Sequence, residues 1–484
     1  MVTKTYTHFS SCRFYIDLDS DGDVIATRDS DYNEVSEIAI YNDGTLTYQT
    51  NPLTIDVGRY TGYYTLGGHT LDFTIERGNV TAQLIPALEY HVTQSLNNGF
   101  SLQLDHLGHV SAVHNQDGDA VNDFGVYDQD SRIFSITTYP MAINMGAFSG
   151  RWNVYMVTEE YVEESGDLLI NFIPSLDYLI GYGNGGKIQI SLDSEGHIKN
   201  MTNADDESID GVIAVYTSAT RVLSIQSHEY TIISGSYSGT YHVNSIFAPY
   251  TYLDGDQSFH LIPWAKYTIT VGWYGNFDIE IDSSGDVVAI FDEAGNPAGE
   301  IATYSASTSD TGTSRTLTFQ TVSMTIEVGN YAGRYSLFGV TGELQGDVDL
   351  DLVPSIEYGM NLGQGYASDN TFMFNLDNQG DIVETSPIAI YDPDTRVISL
   401  SSHLVNIYST CTQSYAINWV LDDTVGDAAI YLLSTVKYKL NVDGKTIEFG
   451  SDGTSLTVEG DGLIYADVSG SSMTLKSCLC TSSC

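Results

Sequence analysis

The sequence predicts an all-β chain, a tandem array of five antiparallel β-sandwich modules of about 90 residues with a short β-rich C-terminal extension. Three observations predict it. One landmark, Pro-x-x-x-Tyr, returns at a near-constant spacing; a Gly-containing acidic turn returns in phase with it; and short runs alternate apolar with polar residues throughout, with almost no helical periodicity.

The first landmark reads Leu-Ile-Pro86-Ala-Leu-Glu-Tyr90, Phe-Ile-Pro174-Ser-Leu-Asp-Tyr178, Leu-Ile-Pro263-Trp-Ala-Lys-Tyr267, Leu-Val-Pro354-Ser-Ile-Glu-Tyr358 and, decayed, Leu-Leu-Ser434-Thr-Val-Lys-Tyr438. Successive tyrosines stand 88, 89, 91 and 80 residues apart. A fixed period of this length marks copies of one folding unit rather than one large core. Tyrosines that recur at equivalent points are expected to be buried, with the hydroxyl reaching a partner.

The second landmark is a tight turn: Asp19 to Val24, Asp105 to Val110, Asp193 to Ile198, Asp282 to Val287 and Asp377 to Ile382, with Gly22, Gly108, Gly196, Gly285 and Gly380 at its centre. Glycine supplies the backbone conformation a hairpin needs and Asp bonds its own backbone, so each predicts a hairpin. About twenty residues on, an Ile-Ala-Ile-Tyr type strand carries Tyr41, Tyr127, Tyr216, Tyr304 and Tyr391, followed by Arg132, Arg221 and Arg396, or by Arg315 after a longer loop. A third landmark is Gly-x-aromatic-x-Gly-x-aromatic: Gly58 to Tyr64, Gly146 to Trp152, Gly235 to Tyr241 and Gly329 to Tyr335. It predicts a bend or bulge where rings cover backbone lacking side chains. In the fifth copy both glycines are gone and Cys411 stands at the first aromatic position.

These landmarks place module boundaries near residues 97, 183, 274 and 368. The modules are then residues 1–97, 98–183, 184–274 and 275–368, followed by a degenerate copy at 369–440 and a β-rich extension with a Cys tail at 441–484. The last stretch reads as strands too few for a domain, so it either completes the fifth module or pairs with a neighbouring subunit.

With 63 acidic residues against 18 basic ones the formal net charge is −45. That field repels nucleic acid and anionic membrane surfaces, and it favours solubility, divalent cations or life in high salt. No run is long and apolar enough to predict membrane insertion, and the first residues lack the apolar stretch of a secretory signal. A removed signal, a signal-less export route and assembly inside a cell, as for virion proteins, all fit.

The acidic turn Asp17-Leu-Asp19-Ser-Asp21-Gly22-Asp23 matches the front half of a calcium loop, making Asp17, Asp19, Asp21 and Asp23 the candidate Ca2+ ligands. Arg28 stands where such a loop wants a bidentate Glu, so an acidic hairpin turn is the competing reading. His106, His109 and His114 cluster in the second module, either as metal ligands or as exposed turn residues. Five cysteines, Cys12, Cys411, Cys478, Cys480 and Cys484, are candidates for disulfides or intersubunit links, their odd number leaving one without an intrachain partner. Asn79 and Asn200 head N-glycosylation triplets.

Catalysis has little support. The residues that mark every copy are Gly, Pro, Tyr and turn Asp, and no nucleophile, nucleotide-binding or zinc-protease motif is present. The two distinctive loops are the acidic segment 159–164, which reads as a solvated charged loop, and the segment 244–257, whose aromatic turn Pro249-Tyr-Thr-Tyr252 either packs on its own module or stacks on a sugar ring. The expectation is a structural, non-enzymatic repeat protein without a cofactor other than calcium. It would self-assemble as a homopolymer into an extracellular or virion-surface filament, sheath, layer or fibre. The alternatives are an adhesin that binds surface glycans and a glycan-degrading enzyme with accessory modules.

Overall fold

A computed structural model describes the chain except at residues 1, 9–11, 30–31, 37, 61, 68–74, 95–97, 156, 159–164, 184, 245, 247–250, 273–274, 310–311, 363–369, 384–387, 410–413, 434–435, 443, 451–455, 459–463, 470–471 and 478–484. The described elements are all strands, gathered into small sheets. Among these residues no helix is long and apolar enough to cross a membrane. By contacts the chain divides into two compact units, 1–228 with 260–265 and 282–285, and the remainder.

In the first unit the pattern is clearest between Tyr139 and Ile225. One sheet orders Leu168–Phe172, Tyr139–Asn144, Val222–Ile225 and Ala214–Thr217; the other orders Trp152–Val154, Asp177–Tyr182, Gly186–Leu192 and Ile198–Thr202. The alternation written in the sequence becomes alternation of burial: Asp177–Tyr182 reads exposed, buried, half-buried, buried, half-buried, buried. Every second side chain therefore enters a core between two sheets. In the preceding sheet pair that core is aromatic, Phe100 stacking on Phe124 at 4.8 Å and meeting Phe134 at 5.7 Å.

The sheets are not wholly antiparallel. The first and last strands of the pattern lie side by side in parallel, Ala142 opposite Val222. The same pairing recurs with Thr54 opposite Ile133 in the first unit, and in the second with Tyr230 opposite Arg315, Thr325 opposite Val397 and Asn406 opposite Ser472. A parallel pair needs a long crossover, and here the rest of the repeat supplies it.

That pairing sets a different phase from the expected boundaries. Residues 97, 183, 274 and 368 fall between strands that neighbour each other in one sheet: Glu89–Gln94 with Asn98–Leu104, Asp177–Tyr182 with Gly186–Leu192, Ala265–Val271 with Gly275–Ile281, and Glu357–Asn361 with Thr371–Asn375. A division there would cut a hydrogen-bond ladder. Within the first unit the paired strands instead run over about 51–136 and 139–225, and within the second over about 322–400 and 402–477. The described strands from 441 onward accordingly belong to these sheets. Lys445–Gly450 and Leu456–Val458 continue one sheet, while Ile464–Ser469 and Ser472–Ser477 join Ser402–Ser409 in the other. At the start, Val2–His8, Cys12–Leu18 and Val24–Arg28 form a three-stranded sheet, and Ala39–Asn42 pairs with Thr45–Tyr48.

The Gly-x-aromatic-x-Gly landmark is a turn in which the ring folds back over the second glycine. A Cβ added at Gly150, Gly239 or Gly333 would fall on the ring of Phe148, Tyr237 or Tyr331 respectively. Tyr331 is 2% exposed and has no room to swing away. Gly333→Ala is therefore expected to cost about 1–3 kcal/mol, the usual range for overpacking, read as a lower melting temperature; an unchanged one would show that the ring relaxes freely.

Candidate functional site

The turn aspartates are committed to the backbone. Asp105 Oδ1 accepts the N–H groups of Leu107 and His109 at 2.8 Å each, and Asp193 Oδ1 those of Glu195 and His197 at 2.9 and 2.8 Å. Asp19 and Asp377 do the same, two and four residues on. Just past the turn glycine, Asp23, Asp286 and Asp381 each accept the phenol O–H of Tyr41, Tyr304 and Tyr391 at 2.7 Å. In two copies histidine takes that place, His109 Nδ1 and His197 Nδ1 lying 2.9 Å from the hydroxyls of Tyr127 and Tyr216. The landmark arginines close the latch: Arg132 donates to the carbonyls of Leu107 and Gly108, Arg221 to those of Glu195 and Gly196, and Arg396 to that of Gln379. Burial, with the adjacent carboxylate, pushes the Tyr304 and Tyr391 phenols up to about 12.

The same accounting places the candidate calcium ligands. Asp17 is buried and its Oδ2 takes Arg28 Nε at 2.7 Å; Asp19 holds its turn; Asp23 accepts from Tyr41; Asp21 is exposed on the turn. Among the described residues no three His, Cys, Asp or Glu converge in a group that would hold a metal ion. The three histidines disperse likewise, His106 to the exposed turn, His109 to Tyr127, and His114 to the strand Val110–His114. Cys12 opens the strand Cys12–Leu18, opposite His8. Cys411, Cys478, Cys480 and Cys484 lie outside the described residues, as does the acidic segment 159–164. Of the aromatic segment, Tyr252 is half-buried and meets the His242 ring edge-on at 5.2 Å.

The landmark tyrosines are structural. The Tyr178 hydroxyl accepts the Ile173 N–H at 2.9 Å and donates to the Ile173 carbonyl at 3.1 Å. Tyr90 with Ile85 and Tyr358 with Val353 repeat the arrangement, and Tyr438 accepts from Leu433. In the copies of Tyr90, Tyr178 and Tyr358 the hydroxyl reaches back five residues across a turn whose post-proline residue, Ala87, Ser175 or Ser355, has φ of 56°, 57° or 58°. A further motif escaped the sequence reading. Gly78-Asn79, Gly166-Asp167, Gly255-Asp256, Gly346-Asp347 and Gly426-Asp427 each stand eight residues before the landmark proline or its serine replacement. The glycine carbonyl accepts from Tyr64, Trp152, Tyr241, Tyr335 or Tyr415. The Asx oxygen caps the backbone N–H of Val57, Met145, Ser234, Val328 or Ser409. Asn79 is thus a structural cap, and the constant spacing was its signal.

Landmarks also meet where one repeat touches the next. Within the first unit Ser149 N–H donates to the His260 carbonyl at 3.0 Å while Ser149 Oγ accepts the His260 N–H at 2.9 Å. Within the second, Ser238 and Asp351 repeat that reciprocal pair at 3.0 and 2.9 Å. The serine after the landmark proline reaches back to an acid of the preceding repeat, Ser175 to Asp123 and Ser355 to Glu300. Tyr60 lies near enough to Tyr178, and Tyr331 to Tyr438, for their hydroxyls to interact electrostatically. Asn370 and Lys437 exchange a side-chain amide for a backbone pair at 2.9 and 3.0 Å.

No family model matches the chain, and no curated protein matches it in sequence. Among solved structures, a C-terminal fragment of the pilus adhesin SpaC from Lactobacillus rhamnosus GG is 13% identical, with 38% of this chain and 97% of that one covered and a TM-score of 0.14. A longer structure of the same adhesin is 12% identical over 70% of this chain and 55% of that one, at a TM-score of 0.15. Two B repeat units of the collagen-binding protein of Staphylococcus aureus are 10% identical over 70% and 100%, at 0.13. Similarity of this degree does not establish a shared fold.

Proposed function

We propose that the chain is a structural, non-enzymatic repeat protein that works outside a cell, carrying one folding unit many times over to span distance or tile a surface. The observation that supports this is the use of the landmark residues. Turn Asp, Tyr, Arg, Gly-Asx and post-proline Ser are occupied in holding each repeat closed or in joining it to its neighbour, as the Ser149–His260 and Ser238–Asp351 exchanges illustrate. Residues kept copy after copy for that purpose serve an array whose stability is shared between neighbours. Self-association into a filament, sheath or layer is the finer form of the proposal, with calcium as a counter-ion drawn by the net charge of −45.

Electron micrographs of the purified chain, in calcium and in chelator, test it. Regular polymers are expected, better ordered with calcium. A chain that stays monomeric in both conditions would remove self-assembly, and polymers indifferent to chelator would remove calcium.

A further inference from the structure

One repeat is unlike the others on its solvent face. Across the strands Glu89–Gln94, Asn98–Leu104 and Val110–His114, residues His91, Ser101 and His114 stand opposite one another in a row. Ser101 is 4% exposed and donates to Glu89 Oε1, and the same oxygen lies 3.6 Å from His114 Nδ1. The corresponding row in the next repeat is Leu179, Gln189 and Thr202. Further along, Asp278 faces Phe291, Gly359 faces Met373, and Lys439 faces Glu448. No periodic structural duty therefore calls for Glu, His, Ser and His together here.

His91 and Ser101 of this row, with Glu89, line a cavity of about 410 Å3, together with Thr93, Asn115 and Gln116; His114 stands behind Glu89 and does not line it. That volume is in the lower part of the range of small-molecule sites, about 300–1,000 Å3. The order of the groups speaks against nucleophilic catalysis. A serine nucleophile needs its proton taken by histidine, whereas here the carboxylate lies between Ser101 and His114 and receives the hydroxyl itself. The net charge of −45 and Glu89 together disfavour an anion, and among the described residues no group of three suits a metal. A carboxylate, one imidazole, two hydroxyls and two side-chain amides converging on one small cavity offer donors and acceptors to a neutral ligand rich in hydroxyls.

We propose that this cavity, centred on Glu89, His91 and Ser101 with His114 positioning the Glu89 carboxylate, binds a neutral saccharide of one or two rings. The site is built from one sheet and the turn that follows Val110–His114, and does not depend on whether the chain polymerises.

The full chain would be titrated with glucose, galactose, mannose, N-acetylglucosamine, lactose and maltose, followed by saturation-transfer NMR and calorimetry. At least one is expected to bind. Glu89→Gln and, separately, His91→Ala should weaken it by about tenfold or more, the loss of one charge-assisted or neutral hydrogen bond. Asp177→Asn, at the equivalent position of the next repeat, should leave binding unchanged, and melting curves confirm that each variant is folded. Failure of all six sugars to bind, binding that survives both site variants in folded protein, or saturable binding of zinc at this cavity in place of sugar would overturn the assignment.

Discussion

Tyr178→Ala is expected to destabilise the protein by about 3–5 kcal/mol, the range for deleting a large aromatic from a core. The ring is 2% exposed and meets Phe172 edge-on at 4.5 Å, so its removal leaves a cavity beside a packed aromatic. The hydroxyl adds a second loss, because it serves both the N–H and the carbonyl of Ile173. Tyr178→Phe keeps the ring and strands those two backbone groups, which predicts a smaller cost of about 1–3 kcal/mol. Chemical denaturation of the two variants separates packing from hydrogen bonding. A Tyr178→Ala protein that melts with the wild type would show that the ring is a surface contact, and equal losses for both variants would show that the bond to Ile173 dominates.

That tyrosine also shows how much of the molecule was legible in its sequence. Its recurrence at Tyr90, Tyr358 and Tyr438 announced a buried ring with a bonded hydroxyl, and each of those rings is buried and bonded to the backbone five residues earlier. The strand content was equally plain, since alternation along segments such as Lys187 to Leu192 maps directly onto burial. The phase of the repeat was not. Gly and Asn at Asn98-Gly99 or Gly183 to Gly186 look alike whether they make a linker or a hairpin turn, and only the pairing of Tyr178 with Ile190 across the gap shows the turn. Nor does alternation distinguish parallel from antiparallel neighbours, so the side-by-side first and last strands had no local signal.

The acidic turns were read by residue type, which does not reveal how a carboxylate is used. Asp19 within Asp-x-Asp-Gly-Asp fits a cation ligand and a hairpin turn alike in sequence, and in the fold its Oδ1 takes two amides of its own turn. The outward row at His91 and Ser101 was beyond reach for another reason. Its members are up to 25 residues apart, from Glu89 to His114, and only strand register brings them together.

The same buried phenols give the chain a sharp alkaline limit. Burial pushes Tyr64 and Tyr335 up to about 12, and burial with an adjacent aspartate does the same to Tyr304 and Tyr391, from an ordinary value of 10.0. Tyr178, Tyr358 and Tyr438 are raised well above it, chiefly by burial. A phenol whose folded value exceeds its unfolded value stabilises the fold fully below the unfolded value, and that contribution is lost as pH rises through the folded one. Stability should therefore hold up to about pH 10 and fall steeply between about 10 and 12, many tyrosines ionising together as the sheets open. The net charge of −45 grows more negative over the same window, and the added repulsion steepens the fall. The last part of the tyrosinate absorbance, from the buried rings, and the far-ultraviolet circular dichroism should change together in a step whose midpoint lies above 10. Smooth ionisation of all the tyrosines near 10 with the sheet signal intact would mean that these rings are open to solvent, and the account of Tyr178, Tyr358 and Tyr438 as the braces of their repeats would fail with it.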